Sequence, residues 1–224
     1  MIITIDGSAG TGKTTVAKAI AERLSIAYCD TGAMYRVVTL ALLKRGIDIE
    51  DREAVQAFLQ DDVYSCKNIK GTLHHFLQGR DVTFAIRRQK VTHAVSAVAS
   101  SPYVRDALLK WQREFATSFH DVVFEGRDMG TRVFPDADLK IFLVADVKVC
   151  ARRRFLELCE KHPEEMESMT EALLLEKIKR RDAIDRSRTA SPLKIASDAH
   201  QIDTTYLSIE EVVDQIAREV SRLR

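Results

Sequence analysis

Apolar and polar residues alternate along this chain in two distinct rhythms. Ile2-Ile3-Thr4-Ile5 is a short β-branched run closed by Asp6-Gly7, the pattern of a buried strand entering a turn. Val16, Ala17, Ile20 and Leu24 then recur at helical spacing across residues 13–24. A second apolar run, Ile26-Ala27-Tyr28-Cys29, follows at once, and residues 33–45 are again helical in composition. Strand, helix, strand, helix predicts a parallel α/β sheet.

The rhythm changes over residues 62–84, which alternate and contain Asn68, Gly71 and Gly79. The runs Val63-Tyr64, Leu73 to Leu77 and Val82 to Phe84 predict a small antiparallel unit, set into the α/β fold over about 60–88. Two helices should follow. The second opens with Ser101-Pro102, a cap with proline at the first helical position, and carries the stripe Val104, Leu108, Trp111, Phe115, Phe119 toward the core. Val122-Val123-Phe124 and Leu139 to Val144 read as buried strands, and Gln201-Ile202-Asp203 as a weaker last one. Ser208 and Glu211 form a capping box for a final helix with Ile209, Val212, Val213, Ile216, Val220 and Leu223 on one face. The expected fold class is α/β: one domain over residues 1–224, with about five parallel strands, flanking helices and one β-rich insert.

Composition narrows the function classes. The 224 residues are 46% apolar and 30% charged, ordinary for a globular protein, and the formal net charge is +1. No global field draws such a chain to nucleic acid or membrane, so any basic site is local. No apolar run approaches the roughly 18 residues of a membrane span. The first residues read as a strand and not as a secretory leader. The four cysteines form no CxxC pair and no zinc spacing, which predicts reduced, mostly packed thiols in a cytoplasmic protein. His74 and His75 are adjacent, so on a strand they point to opposite faces and share no metal.

The chemistry begins at Gly7-Ser8-Ala9-Gly10-Thr11-Gly12-Lys13-Thr14, with Thr15 next. This fits GxxxxGK followed by Ser or Thr, between a strand and a helix as that motif requires. The glycines let several N–H groups turn toward one point, and the helix adds its positive end. Lys13 should reach the β- and γ-phosphates of a nucleoside triphosphate, and the Thr14 hydroxyl should ligate Mg²⁺. A guanine switch would carry an Asn-Lys-x-Asp base reader, which is missing.

Two further segments lie where α/β ligands bind, at the carboxyl ends of strands. Asp30-Thr31-Gly32-Ala33-Met34-Tyr35-Arg36 puts Arg36 early in a helix, and Glu125-Gly126-Arg127-Asp128 follows a buried strand. Glu125 suits a water-mediated Mg²⁺ contact. A solvated loop is the plainer reading of the same charges. Arg152, Arg153 and Arg154 follow a later strand. A helix from about 170 to 188 then stacks Leu174, Ile178, Arg181, Asp185 and Arg188 on one face, apolar at its start and charged at its end. Lys177, Lys179 and Arg180 also fit a solvated basic helix. A nucleic-acid patch at 177–188 would have no aromatic platform for base stacking.

GSAGTGKTT, DTGAMYR and above all GRDMGTRVFPDADLKIFL resemble the bacterial cytidylate kinases, a nucleoside monophosphate kinase group of the P-loop kinases, from residue 2 to about 220. The resemblance implies a P-loop core, a monophosphate-binding insert and a lid over about 146–190. It implies ATP and Mg²⁺ as cosubstrates, CMP and dCMP as acceptors, and a monomer without nucleic-acid or membrane partners. Carried over by position, Ser96, Arg105 and Asp128 would read cytosine, and Arg36 and Arg127 would hold the acceptor phosphate. Thr31 and Tyr35 would line that pocket, while Arg181, Asp185 and Arg188 would approach sugar and phosphates from the lid. Two positions depart from the family pattern: Ser8 replaces the usual Pro, and Glu125 replaces the usual Asp, setting its carboxylate one methylene further out.

Overall fold

The computed structural model describes residues 1–60, 64–69, 72–161, 163, 166 and 169–223. Its strands are β1 (Ile2–Gly7), β2 (Ala27–Asp30), β3 (Tyr64–Ile69), β4 (Thr72–Leu77), β5 (Arg80–Asp81), β6 (Val122–Glu125), β7 (Leu139–Val144) and β8 (His200–Asp203). Its α-helices are α1 (Lys13–Leu24), α2 (Thr31–Arg45), α3 (Arg52–Gln60), α4 (Gln89–Ser100), α5 (Pro102–Thr117), α6 (Val147–Lys161), α7 (Glu171–Ser187) and α8 (Ile209–Leu223). Five strands form one parallel sheet in the order β2-β6-β1-β7-β8, and three form a second, antiparallel sheet in the order β3-β4-β5. Val63 and Gly71 of the expected insert lie outside the described residues, as do parts of the expected lid.

The chain divides into two compact units. The first comprises Met1–Ala27 and Asp121–Arg224. Its centre is β1, whose Ile3 registers with Val123 of β6 on one side and Leu139 of β7 on the other. Ile3, Thr4, Ile5 and Asp6 are all buried, as for a central parallel strand covered on both faces. Helix α8 packs on α1 and β7 and buries Val212, Val213, Ile216 and Val220, and the Ser208–Glu211 capping box closes reciprocally at 2.8 and 3.2 Å. Ile209 and Leu223, expected on that buried face, are about half exposed because they are the helix's two terminal residues. The segment leaving at Ala27 returns at Asp121, and the Ala27 N–H donates to the Asp121 carbonyl at 3.1 Å.

The second unit is Tyr28–His120. Helix α2 packs against α4 and α5, and β3 and β4 pair from Tyr64↔Leu77 to Ile69↔Thr72. His74 and His75 do take opposite faces, His74 against Asp81 at 2.7 Å and His75 buried beside Tyr64. Three expectations are corrected in this unit. Val82 to Phe84 is a turn and not a strand, because Thr83 folds back: its hydroxyl accepts the His75 N–H at 2.9 Å and its own N–H donates to Asp81. The α5 stripe reaches the core only at Val104 and Leu108; Phe119 lies beyond the helix end and is exposed, and Gln112 takes the buried place further along. Proline opens α5 as expected, yet the buried Ser101 hydroxyl makes no capping bond and has no hydrogen-bond partner among the described residues.

Candidate active site

In the first unit, three segments converge on the carboxyl end of β1. The phosphate loop turns sharply because Gly7 and Gly10 have positive φ and no room for a side chain. A Cβ at Gly7 would sit 2.2 Å from the Leu143 carbonyl oxygen, and one at Gly10 would sit 2.8 Å from Cys150 Cβ. Ala9, Cys150, Ala151 and Ile178 form an apolar cluster that seats α6 and α7 against the loop. The Ala9 N–H donates to the Asp182 carboxylate of α7 at 3.0 Å, and the Thr204 hydroxyl, next after β8, lies 3.1 Å from the Thr11 carbonyl. Arg153, from the expected basic run, binds the Thr204 carbonyl at 2.6 Å and so buttresses that contact.

Lys13 is buried, and its ammonium donates to the Ser8 carbonyl. Burial first, and then the Arg127 guanidinium, push its pKa down to about 7, with Glu125 opposing and Arg181 assisting. Desolvation and Arg127 likewise bring Arg181 down to about 10, against Asp185 and Asp182, so it stays cationic at neutral pH. A lysine and two arginines are thus held close enough to repel one another, an arrangement suited to a polyanion.

The carboxylates order these cations. Arg127 Nε donates to Asp185 at 3.0 Å, Arg188 Nη1 to the other Asp185 oxygen at 3.4 Å, and Arg188 Nη2 lies 3.9 Å from Asp128. Asp128, Asp185 and Arg188 are all buried. The expected stripe of α7 is therefore real: Leu174 and Ile178 anchor it, Asp185 and Arg188 end it, and Lys177, Lys179 and Arg180 form its solvated face. At the loop mouth the Thr14 hydroxyl donates to Glu125 Oε2 at 2.9 Å, so the longer carboxylate still meets its intended neighbour. Two adjacent oxygen ligands fit Mg²⁺, which takes most of its remaining coordination from phosphate and water. Among the described residues no cluster of three His, Cys, Asp or Glu offers an all-protein cage.

The second unit holds the other expected residues. Thr31 and Tyr35 are buried on α2, and the Arg105 guanidinium sits 5.3 Å above the Tyr35 ring. Arg105 also donates to the Ala99 carbonyl at 2.9 Å, and Arg36 to the Ile86 carbonyl at 3.2 Å and the Thr92 hydroxyl at 2.8 Å. Ser96 is half-buried on α4, its carbonyl accepting from the Ser100 hydroxyl. Asp30 caps α2 through the Ala33 N–H and pairs with Arg87 at 2.8 Å.

Sequence reasoning missed Asp6, Asp30, Arg87 and Asp182. A visible signal existed for two of them: Asp6 and Asp30 each close a buried strand with a charge. Asp182 sits one residue off the α7 stripe, so helical periodicity hides it.

Residues 3–222 match the family model described as cytidylate kinase. The chain belongs to the cytidylate kinase family. It is 47% identical to the cytidylate kinase of Protochlamydia amoebophila over 216 residues, 96% of this chain and 94% of that one. It is equally identical to the cytidylate kinase of Geobacillus kaustophilus over 220 residues, 98% and 96% of the two chains. Among solved structures, an uncharacterized protein from Eubacterium ventriosum shares the fold, with a TM-score of 0.53 at 14% identity over 99% of this chain and 98% of that one. Membership in the cytidylate kinase family agrees with the parallel sheet, the phosphate loop and the nucleotide use they imply.

Proposed function

We propose that this chain transfers the γ-phosphoryl group of MgATP to CMP or dCMP, giving ADP and CDP or dCDP, as an enzyme of pyrimidine nucleotide metabolism. The carrying observation is the meeting of Lys13, Arg127 and Arg181 from three segments of one unit, tied by Asp185 to Arg188. Two polyanions must approach there. Each pair of unit charges at about 4 Å repels by roughly 4 kcal/mol at an effective dielectric of 20. Lys13, Arg127, Arg181 and Arg188 offset that repulsion and stabilise charge on the transferring group.

Residues 7–15 cradle the triphosphate through backbone N–H groups, with Lys13 on its β- and γ-phosphates. Mg²⁺, held by Thr14 and through water by Glu125, would supply further charge neutralisation. An arriving triphosphate also supplies the negative charge that keeps the buried Lys13 protonated. No general base is needed, because a phosphate with a second pKa near 6 is mostly a dianion at neutral pH.

On the acceptor side, Arg36 and Arg127 hold the phosphate, Thr31 and Tyr35 line its pocket, and Asp185 and Arg188 approach the sugar. Ser96, Arg105 and Asp128 read the base. Cytosine offers an exocyclic amine where uracil has an oxygen, and a carboxylate accepts from the first and repels the second. Residues 60–88 act as the monophosphate-binding insert and 146–190 as the lid that excludes water. The enzyme works in the cytoplasm as a monomer on small nucleotides, with neither nucleic acid nor membrane as partner; no described helix is long and apolar enough to cross a bilayer.

A coupled assay with ATP, with and without Mg²⁺, against every nucleoside monophosphate tests the reading. Turnover should require Mg²⁺ and be fastest with CMP and dCMP. Equal ATP hydrolysis with and without an acceptor, or preference for another monophosphate, would overturn it.

A further inference from the structure

We propose that Asp6 is a positioning residue for acceptor recognition: its carboxylate, at the end of the strand that launches the phosphate loop, holds the turn carrying Arg127 and Asp128. The proposal rests on the functional reading of those two residues given above.

Asp6 is buried, and both its oxygens are used. Oδ1 accepts the Met129 N–H at 3.0 Å and Oδ2 the Gly130 N–H at 2.8 Å. These donors open the π-helical turn Met129–Val133, which has Asp128 as its N-cap residue. That turn is closed at its other end by the Asp128 carbonyl, which accepts from the Arg132 and Val133 N–H groups at 2.9 and 3.2 Å. Its opening N–H groups have no partner within the turn, and Asp6 takes both. An ionised carboxylate is the compact side chain that offers two acceptors and no donor. The turn is also pressed onto the sheet, since a Cβ at Gly130 would lie 3.1 Å from Thr4 Oγ1 and 3.2 Å from Lys140 Cδ.

The placement is costly, which argues that the bonds matter. Burial raises Asp6 to about 6; the Gly130 and Met129 N–H groups oppose that, Asp128 adds to it and Lys13 opposes it. The same residue is followed directly by Gly7. Asp6 thus stands where β1 passes into the donor-side loop, but both its carboxylate bonds go to the acceptor-side turn, so its loss should be felt there first.

Asp6→Asn tests this. One carboxylate oxygen becomes an NH₂ group facing a backbone N–H, so one of the two bonds is lost. The expected result is a fall in kcat/KM for CMP of about ten- to a hundredfold, carried by KM. The variant's affinity for ADP, measured by calorimetry without acceptor, should change by less than about twofold. A matched loss of ADP and CMP binding would mark a merely structural role and overturn the proposal. Combined with Asp128→Ala, the two changes in the CMP to UMP ratio should be non-additive; additivity overturns the coupling through the turn. If Asp128→Ala alone leaves that ratio unchanged, the base-reader assignment fails. Asp6 is then judged by KM for CMP and UMP together, which should still rise through Arg127; an unchanged KM overturns it. Should Asp6→Asn not fold, the wild-type protein decides. Its Met129 and Gly130 amide protons should shift together with one shared titration midpoint in NMR spectra, and independent or absent shifts would overturn the assignment.

Discussion

Two pairs of arginines, one in each unit, sit in different surroundings. In the first, Arg127 and Arg188 are bound to a shared carboxylate, Asp185, and Arg188 also approaches Asp128. In the second, Arg36 and Arg105 lean on carbonyls, a hydroxyl and an aromatic face. A carboxylate fixes a guanidinium firmly but cancels its charge, whereas a carbonyl orients it and leaves the charge to a ligand. The contrast is one of individual sites, since the second unit also holds an arginine by a carboxylate, Arg87 on Asp30 at 2.8 Å: Asp185 fixes Arg127 and Arg188, while the Ile86 carbonyl and the Thr92 hydroxyl help to orient Arg36.

Breaking the contrast should cost most where a cation meets the transferred phosphate. Lys13→Ala is expected to lower kcat by about a thousandfold or more, with circular dichroism unchanged. Next comes Asp185→Ala, which takes a carboxylate from the buried Arg188 and the partly buried Arg127; urea melts should show a loss of about 3 kcal/mol. Asp128→Ala should leave stability closer to wild type while cutting the CMP over UMP preference by about a hundredfold in steady-state kinetics. An unchanged ratio would move the base reader elsewhere. The corresponding change in the second unit is milder. Thr92→Val removes a neutral acceptor from Arg36, and about 1 kcal/mol of stability should go with it.

Acid sharpens the contrast with the smallest effect. Burial lowers His75 of the second unit to about 4, against an ordinary 6.5. Its stabilising contribution is present above pH 6.5 and is lost as the pH falls toward 4. Asp6 of the first unit runs oppositely: raised from 3.8 to about 6, its contribution is present below 3.8 and lost as the pH rises through about 6. Between pH 7 and 6, wild-type stability should fall by less than about 1 kcal/mol through His75, and His75→Phe should remove that slope in urea melts.

Much of the frame was legible because its signals are local. The phosphate loop needs a strand before it and a helix after it, and both have clear periodicity. The stripe from Leu174 to Arg188 was readable for the same reason. What escaped depends on pairing at a distance. Thr83 ends a strand by satisfying His75 with its side chain, which no run of Val82 to Phe84 reveals. Asp6 and Asp182 act through backbone N–H groups, which carry no sequence letter. Helix α3 has only nine residues and buries only Val55 and Phe58, too short a stripe for its period to stand out.

The bond between Ala27 and Asp121 has a consequence for how such enzymes diversify. Ala27 opens the edge strand β2, and the chain comes back beside it at Asp121, just before β6, so this one backbone bond closes the long excursion between them. The stretch between them can lengthen or shorten around Thr31, Tyr35, Arg36, Ser96 and Arg105 provided its two ends meet, while β1, which leads into the phosphate loop, takes its register from β6 and β7.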